Sequence, residues 1–78
     1  MDDLKPSDLN ILLVEPSNAQ SKVIEHELSR EGVHSIDFVS GKEEALERID
    51  QLCPDLVISS LHFADGTGLD LLREIRGQ

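Results

Sequence analysis

The apolar residues of this chain follow two kinds of pattern, short continuous runs and stripes at helical spacing. Residues 11–14 (Ile-Leu-Leu-Val) form a run that closes before Pro16, which is typical of a strand buried on both faces. Leu56, Val57 and Ile58 form a second run of this kind. Residues 33–40 instead alternate apolar and polar side chains, which indicates an edge or half-covered strand. The pattern therefore predicts three strands.

Three helices are predicted between and after these strands. Ser17 and Gln20 have the spacing of a capping box before the first helix, and Ser40 and Glu43 repeat it before the second. Thr67 is the predicted cap of the third. The apolar stripes predicted to be buried are Ala19, Val23, Ile24 and Leu28 in the first helix, Ala45, Leu46, Ile49, Leu52 and Cys53 in the second, and Leu69, Leu72 and Ile75 in the third.

The order of these elements, βαβαβα, predicts a single α/β domain. Strands that alternate with helices form right-handed crossovers and a parallel sheet. A chain of 78 residues has no room for a second core. Residues 1–9 are polar and include Pro6, so we expect a flexible lead-in there and a domain that spans residues 10–78.

Charge and composition exclude several classes of binding protein. Lys and Arg total 7 against 16 Asp and Glu, which gives a net charge of −9, and the chain has no Trp, no Tyr and two Phe. Nucleic-acid binding uses a basic surface and stacking rings, and neither is available here. An anionic membrane surface would also repel this chain. We therefore expect no nucleic-acid partner and no membrane partner.

The single cysteine and the first residues indicate a cytoplasmic protein. Cys53 has no second cysteine for an internal disulfide. The opening Met1, Asp2 and Asp3 lack the positive charge and apolar core of a secretory signal. Cys53 itself lies on the apolar stripe of the second helix, so it is predicted to be a buried structural residue rather than a reactive thiol.

Glu15 and Ser60 are the candidate site residues. Each follows a predicted strand, so the two residues lie beside each other if these strands are neighbours in the sheet. Open parallel sheets bind ligands at the carboxyl ends of their strands. A hard dication needs several oxygen ligands, and Glu15 offers one carboxylate. Ser60 has His62 nearby, but no nucleophile-elbow pattern surrounds it. These residues predict neither a metal site nor a catalytic one.

Four segments resemble the receiver domain of bacterial two-component response regulators: residues 10–15, 41–46, 54–59 and 68–76. The resemblance extends over about residues 10–76. It implies a flavodoxin-like fold with strand order 2-1-3-4-5, of which this chain would supply the first three strands, in the order 2-1-3, with helices on both faces. Residues 10–78 are then a partial receiver-like domain, and we expect the later strands to be absent.

The resemblance also implies what the site has lost. In receivers two acidic residues after the first strand and an aspartate after the third hold Mg²⁺, and this aspartate accepts phosphate from a histidine kinase. At the matching positions this chain has Glu15, Pro16 and Ser60. Only Glu15 is acidic, so it is a remnant of the acidic pocket, and Ser60 is the phosphoacceptor-equivalent position, which is not expected to be phosphorylated. We expect no cofactor.

These observations favour a pseudo-receiver, or a receiver fragment, that binds protein partners independently of phosphorylation and is not an enzyme. In an alternative hypothesis the chain is the front part of an atypical receiver whose missing strands complete a phosphoryl or Mg²⁺ site around Glu15 and Ser60. A third hypothesis is a truncated piece whose function resides in an output domain. We also expect a homodimer, because Leu56, Val57 and Ile58 form an apolar strand at the sheet edge.

Overall fold

A three-stranded parallel sheet organises the chain in the computed structural model, which describes residues 5–77. Its strands are β1 (Asn10–Val14), β2 (Ser35–Val39) and β3 (Leu56–Ser59), in the order β2-β1-β3. Both neighbours run parallel to β1. The predicted α/β class and the 2-1-3 strand order are therefore confirmed, and the arrangement is that of a partial flavodoxin-like fold.

The central strand supplies half of the buried apolar residues. Ile11, Leu12, Leu13 and Val14 are all buried, because β1 has a strand on each side and is covered on both faces. Successive side chains of a strand point to opposite faces. Leu12 and Val14 pack on the face that carries the main core cluster, whose other members are Val39, Ala45 and Leu71.

Two of the three helices begin at the predicted caps. The helices are α1 (Asn18–Arg30), α2 (Lys42–Leu52) and α3 (Gly68–Arg76). The Ser17 Oγ accepts the Gln20 amide at 3.2 Å. The Thr67 Oγ1 accepts the Asp70 amide at 3.1 Å, and the Asp70 carboxylate accepts the Thr67 amide at 3.0 Å. Each bond satisfies an amide that a helix start would leave unpaired.

Helix α2 begins differently from the prediction. Its cap is Gly41, which has no side chain, so the proposed pair of Ser40 and Glu43 is wrong. The Asp65 carboxylate, 23 residues away from Lys42 along the chain, accepts the Lys42 amide at 2.8 Å and the Glu43 amide at 3.1 Å. A carboxylate at this end also opposes the partial positive charge of the helix dipole.

Asp65 belongs to a small hairpin that the sequence pattern did not predict. Strands β4 (His62–Phe63) and β5 (Gly66–Thr67) pair antiparallel where a turn-rich loop was expected. Gly66 has φ of 151°, a conformation that residues with a Cβ rarely adopt. The hairpin directs the Asp65 side chain toward the start of α2.

The buried face of α3 is not the predicted one. Leu71 is 2% exposed and belongs to the core cluster, whereas Leu69 and Leu72 are 55% and 48% exposed. Ile75 packs against the cluster as expected. Leu71 and Ile75 are four residues apart and share one helical face, which the helix turns toward α2 and the sheet.

The end of α2 and the face of α1 also differ from the prediction. Cys53 is exposed rather than buried, because it adopts a left-handed conformation with φ of 46° at the C-cap, where the helix stops before Pro54. Val23 is 57% exposed, and none of the α1 residues is fully buried. The stripe of α1 is thus only partly covered.

The lead-in contains one ordered turn. Pro6–Asp8 forms a short 3-10 helix, and β1 begins at Asn10 as predicted. Residues 1–4 lie outside the described part of the chain, so the boundary between lead-in and domain stays a prediction. None of the helices within residues 5–77 has both the length and the apolar character that spanning a membrane requires.

Candidate functional site

The carboxyl ends of β1 and β3 place Glu15 and Ser60 at the same edge of the sheet. Val14 and Ser59 are partners in the strand register, and Glu15 and Ser60 directly follow them. The Ser60 amide donates to the Val14 carbonyl at 2.8 Å, which continues the pairing beyond the strands. Glu15 and Ser60 are both half-buried. The predicted juxtaposition of the two site residues is therefore present.

The Glu15 carboxylate already has a structural partner. Its Oε2 accepts the Ser17 amide at 3.0 Å, just before helix α1. The Glu15 amide donates to the Val39 carbonyl at 2.9 Å, so the residue is also fixed between β1 and β2. Glu15 supports the strand-to-helix turn with one of its carboxylate oxygens.

Ser60 lacks the surroundings of a nucleophile. Its Oγ lies 3.5 Å from the backbone carbonyl of His62, a long contact in which the imidazole takes no part. Nucleophilic serines need a base within hydrogen-bond reach. The neighbouring Ser59 Oγ donates to the Ser60 carbonyl at 2.7 Å. Both hydroxyls therefore face backbone oxygens of the segment that follows β3.

Close packing around Ser60 also fixes the start of α3. The Gly68 amide donates to the Leu61 carbonyl at 2.8 Å. A Cβ on Gly68 would lie 2.7 Å from the Ser60 carbonyl oxygen, which is closer than real Cβ contacts. The absence of a side chain at Gly68 thus lets the helix begin directly against the carboxyl end of β3.

The donor set at this edge does not fit a magnesium ion. Mg²⁺ requires near-octahedral oxygen coordination and is usually bound through one or two carboxylates with several waters. Here Pro16 has no side-chain donor, Ser60 supplies a neutral hydroxyl, and Asp65 is engaged at α2. Within residues 5–77, no three His, Cys, Asp or Glu side chains converge in a way that could hold a metal ion.

Lys42 and Asp65, whose contacts the sequence pattern did not predict, connect the hairpin, α2 and α3. The Lys42 Nζ lies 3.1 Å from Glu74 Oε2 and 3.7 Å from Glu43 Oε2. The hydrogen bond to Glu74 is the main cause that raises the pKa of Lys42. The amides of Lys42 and Glu43 bind the ionised form of Asp65 and thereby lower its pKa. The dipeptide Asp65-Gly66 was the available signal, but it identifies a turn and not its distant partner.

A groove of about 390 Å³ lies beside Glu15, between helix α1 and the end of β2. Its walls include Phe38, which is partly exposed, together with Lys22, Glu25 and Glu44. The Glu44 Oε1 accepts the Ser40 amide at 3.1 Å. The groove therefore mixes acidic, basic and apolar side chains.

The three interface candidates lie at the edge of the sheet. Leu56 is 47% exposed, while Val57 and Ile58 are half-buried. Val57 packs against the core cluster, and Leu56 and Ile58 point to the opposite face. Strand β3 has β1 on one side, and no strand of the described residues pairs with its other side.

The strand order β2-β1-β3 and the helices between the strands define a partial flavodoxin-like α/β domain. The chain is 34% identical over 70 residues to the two-component response regulator PhoP of Pseudomonas aeruginosa. The match includes 90% of this chain but only 31% of the relative's length. No family model matches the sequence, and no solved structure matches it. Similarity and fold together support a response regulator receiver-like domain.

Proposed function

We propose that this chain is a pseudo-receiver, a phosphorylation-independent module that binds protein partners in bacterial two-component signalling. It acts in the cytoplasm, binds other proteins and does not catalyse a reaction. A second copy of the chain is one of its partners. The regulated process depends on those partners.

The residues at the carboxyl ends of β1 and β3 support this proposal. Phosphoryl transfer in receivers uses an anionic acceptor and a cluster of carboxylates that binds Mg²⁺, whose charge neutralises the phosphoryl group. Where the resemblance places these groups, the chain has a hydroxyl at Ser60 and an imino acid at Pro16. The remaining carboxylate, on Glu15, accepts the Ser17 amide. A partial receiver-like fold that lacks this cluster of carboxylates supports a binding role over phosphoryl transfer.

Intact mass spectrometry tests the proposal directly. The chain is incubated with acetyl phosphate and Mg²⁺, and we expect its mass to stay unchanged. A different response regulator receiver, one that accepts phosphate from acetyl phosphate, serves as the positive control. A stoichiometric gain of one phosphoryl group that disappears in Ser60→Ala would overturn the proposal.

One observation favours a second candidate function. Glu15 and Ser60 lie side by side at the ends of β1 and β3, as the site residues of a receiver would. In this candidate the chain is the front part of an atypical receiver, and further strands complete a phosphoryl or Mg²⁺ site around this pair. Isothermal titration with Mg²⁺ and an acyl-phosphate mimic separates the two: saturable heat that Glu15→Gln abolishes supports the second candidate.

A further inference from the structure

We propose that the groove beside Glu15 binds an arginine side chain of a partner protein. This inference rests on the proposed function, because it names a surface at which the module binds a partner and the side chain that this surface recognises. The groove has a volume of about 390 Å³. Ligand pockets in proteins range from about 300 to 1,000 Å³, so it has room for a side chain of this size.

The walls of the groove come from elements that follow one another in the chain. Its lining residues lie between Glu15 and Glu44, in the turn after β1, in α1, at the end of β2 and in α2. Strand β2 lies on the side of β1 opposite to β3. The groove is therefore formed without β3 and without the segment that follows it.

The charges of the lining favour a cation as the occupant. The carboxylates of Glu15, Glu25 and Glu44 line the groove, and the ammonium group of Lys22 is the basic group among the lining residues. Of the ion pairs within residues 5–77, none includes any of these four side chains. The lining thus keeps a net charge of −2, which a positively charged side chain of a partner complements.

The carboxylates can accept further hydrogen bonds without giving up the ones they make. Glu15 accepts the Ser17 amide through Oε2, and Glu44 accepts the Ser40 amide through Oε1. In the part of the chain that the structure describes, the second oxygen of each accepts no hydrogen bond, and neither does Glu25. An incoming N–H donor can therefore reach these oxygens while both backbone contacts remain.

Phe38 favours arginine over other cations. It is the strand partner of the buried Leu13, and its side chain is 39% exposed at the groove. A guanidinium group stacks on an aromatic ring and presents several N–H donors in one plane, whereas the lysine ammonium is a strongly hydrated point charge. A metal ion is a poorer occupant, because no three acidic, histidine or cysteine side chains of the described residues converge in a way that could hold one.

An NMR titration of the ¹⁵N-labelled chain measures the binding. The probe is acetyl-arginine amide, which has the charged side chain and no terminal charges. Acetyl-lysine amide and the uncharged acetyl-citrulline amide are compared with it at the same ionic strength. We expect saturable shifts of the Lys22, Val39 and Ser40 amides with millimolar arginine probe, weaker binding of the lysine probe and none of the citrulline probe.

Two variants test the two kinds of contact. Glu25→Gln replaces an exposed carboxylate by a neutral amide and should raise the dissociation constant of the arginine probe about two- to fivefold. The matched control is Glu27→Gln, which removes the same charge from another face of α1 and should leave the constant unchanged. Phe38→Leu keeps an apolar side chain without the ring and should reduce the preference for arginine over lysine about two- to fivefold. The dispersion of the amide spectra shows that each variant is folded.

Three results would overturn the inference. The first is the absence of saturable shifts with the arginine probe. The second is equal affinity for the arginine and lysine probes, because the net charge of the chain alone then attracts them. The third is an equal loss in Glu25→Gln and Glu27→Gln, which places the probe outside the groove. If the arginine probe does not bind and the mass stays unchanged with acetyl phosphate, the groove is rejected and the pseudo-receiver proposal stands.

Discussion

The carboxylate of Asp65 accepts the backbone amide of Lys42 at 2.8 Å, so the hairpin after β3 caps a helix that began 23 residues earlier. Gly41 makes this approach feasible, because a Cβ at that position would lie 2.9 Å from the Asp65 Oδ1. The contact joins the hairpin after β3 to the start of α2 through polar groups. It also connects the loop beside the candidate site to the main core.

Replacing Asp65 by Ala should destabilise the fold. The variant leaves the amides of Lys42 and Glu43 without their acceptor, and loss of a helix cap lowers the melting temperature of a domain this size by roughly 2–8 °C. Thermal unfolding followed by circular dichroism measures the change. Asp50→Ala, which removes the same charge from an exposed position of α2, is the control and should leave the melting temperature nearly unchanged.

The Asp65 cap should also make stability depend on pH. The two amides lower the pKa of Asp65 in the folded chain, so the stabilisation is complete above the ordinary aspartate pKa of about 3.9. It is lost as pH falls through the lowered pKa of the folded state. Urea midpoints of wild type and Asp65→Ala should therefore differ most above the ordinary aspartate pKa, and should converge only as pH falls below the lowered pKa of the folded state. A difference that stays constant over this range would show that the carboxylate charge is not what caps α2.

Leu71 and Leu72 should respond very differently to truncation. Leu71→Ala opens a cavity in the core cluster and should lower the free energy of unfolding by about 2–5 kcal/mol. A loss of this size can unfold much of the population of a small domain. Leu72→Ala removes a side chain that is already half exposed, and should cost no more than about 1 kcal/mol. Chemical denaturation of the two variants compares them. Equal losses would mean that α3 presents a different face to the sheet.

Ser60→Asp should not restore phosphorylation. It returns one carboxylate beside Glu15 but leaves Pro16 in place of an acid, so the charge on a transferring phosphoryl group stays incompletely neutralised. Intact mass after incubation with acetyl phosphate and Mg²⁺ is the measurement. Phosphorylation of this single variant at the rate of an ordinary receiver would indicate that one acceptor was the only missing part.

The three strands of the parallel sheet and the starts of α1 and α3 could be predicted from the sequence because their causes are local. The continuous run at residues 11–14 requires burial on both faces, and β1 is the central strand. The Ser17 and Thr67 side chains cap amides three residues away, so the information lies within one helical turn. The neighbouring positions of Glu15 and Ser60 also followed, since parallel strands end at the same edge.

Tertiary structure decided which apolar face was covered and which distant groups met. Leu69, Leu71 and Leu72 all have apolar side chains, and only the packing of α3 against α2 and the sheet selects Leu71 for the core. Cys53 belongs to an apolar stripe by spacing, but the left-handed turn that ends α2 removes it from that face. Asp65 reaches the start of α2 only because the sheet and the hairpin bring the two segments together. Helical periodicity specifies which residues share a face, whereas the partner that covers the face depends on contacts between residues far apart in the chain.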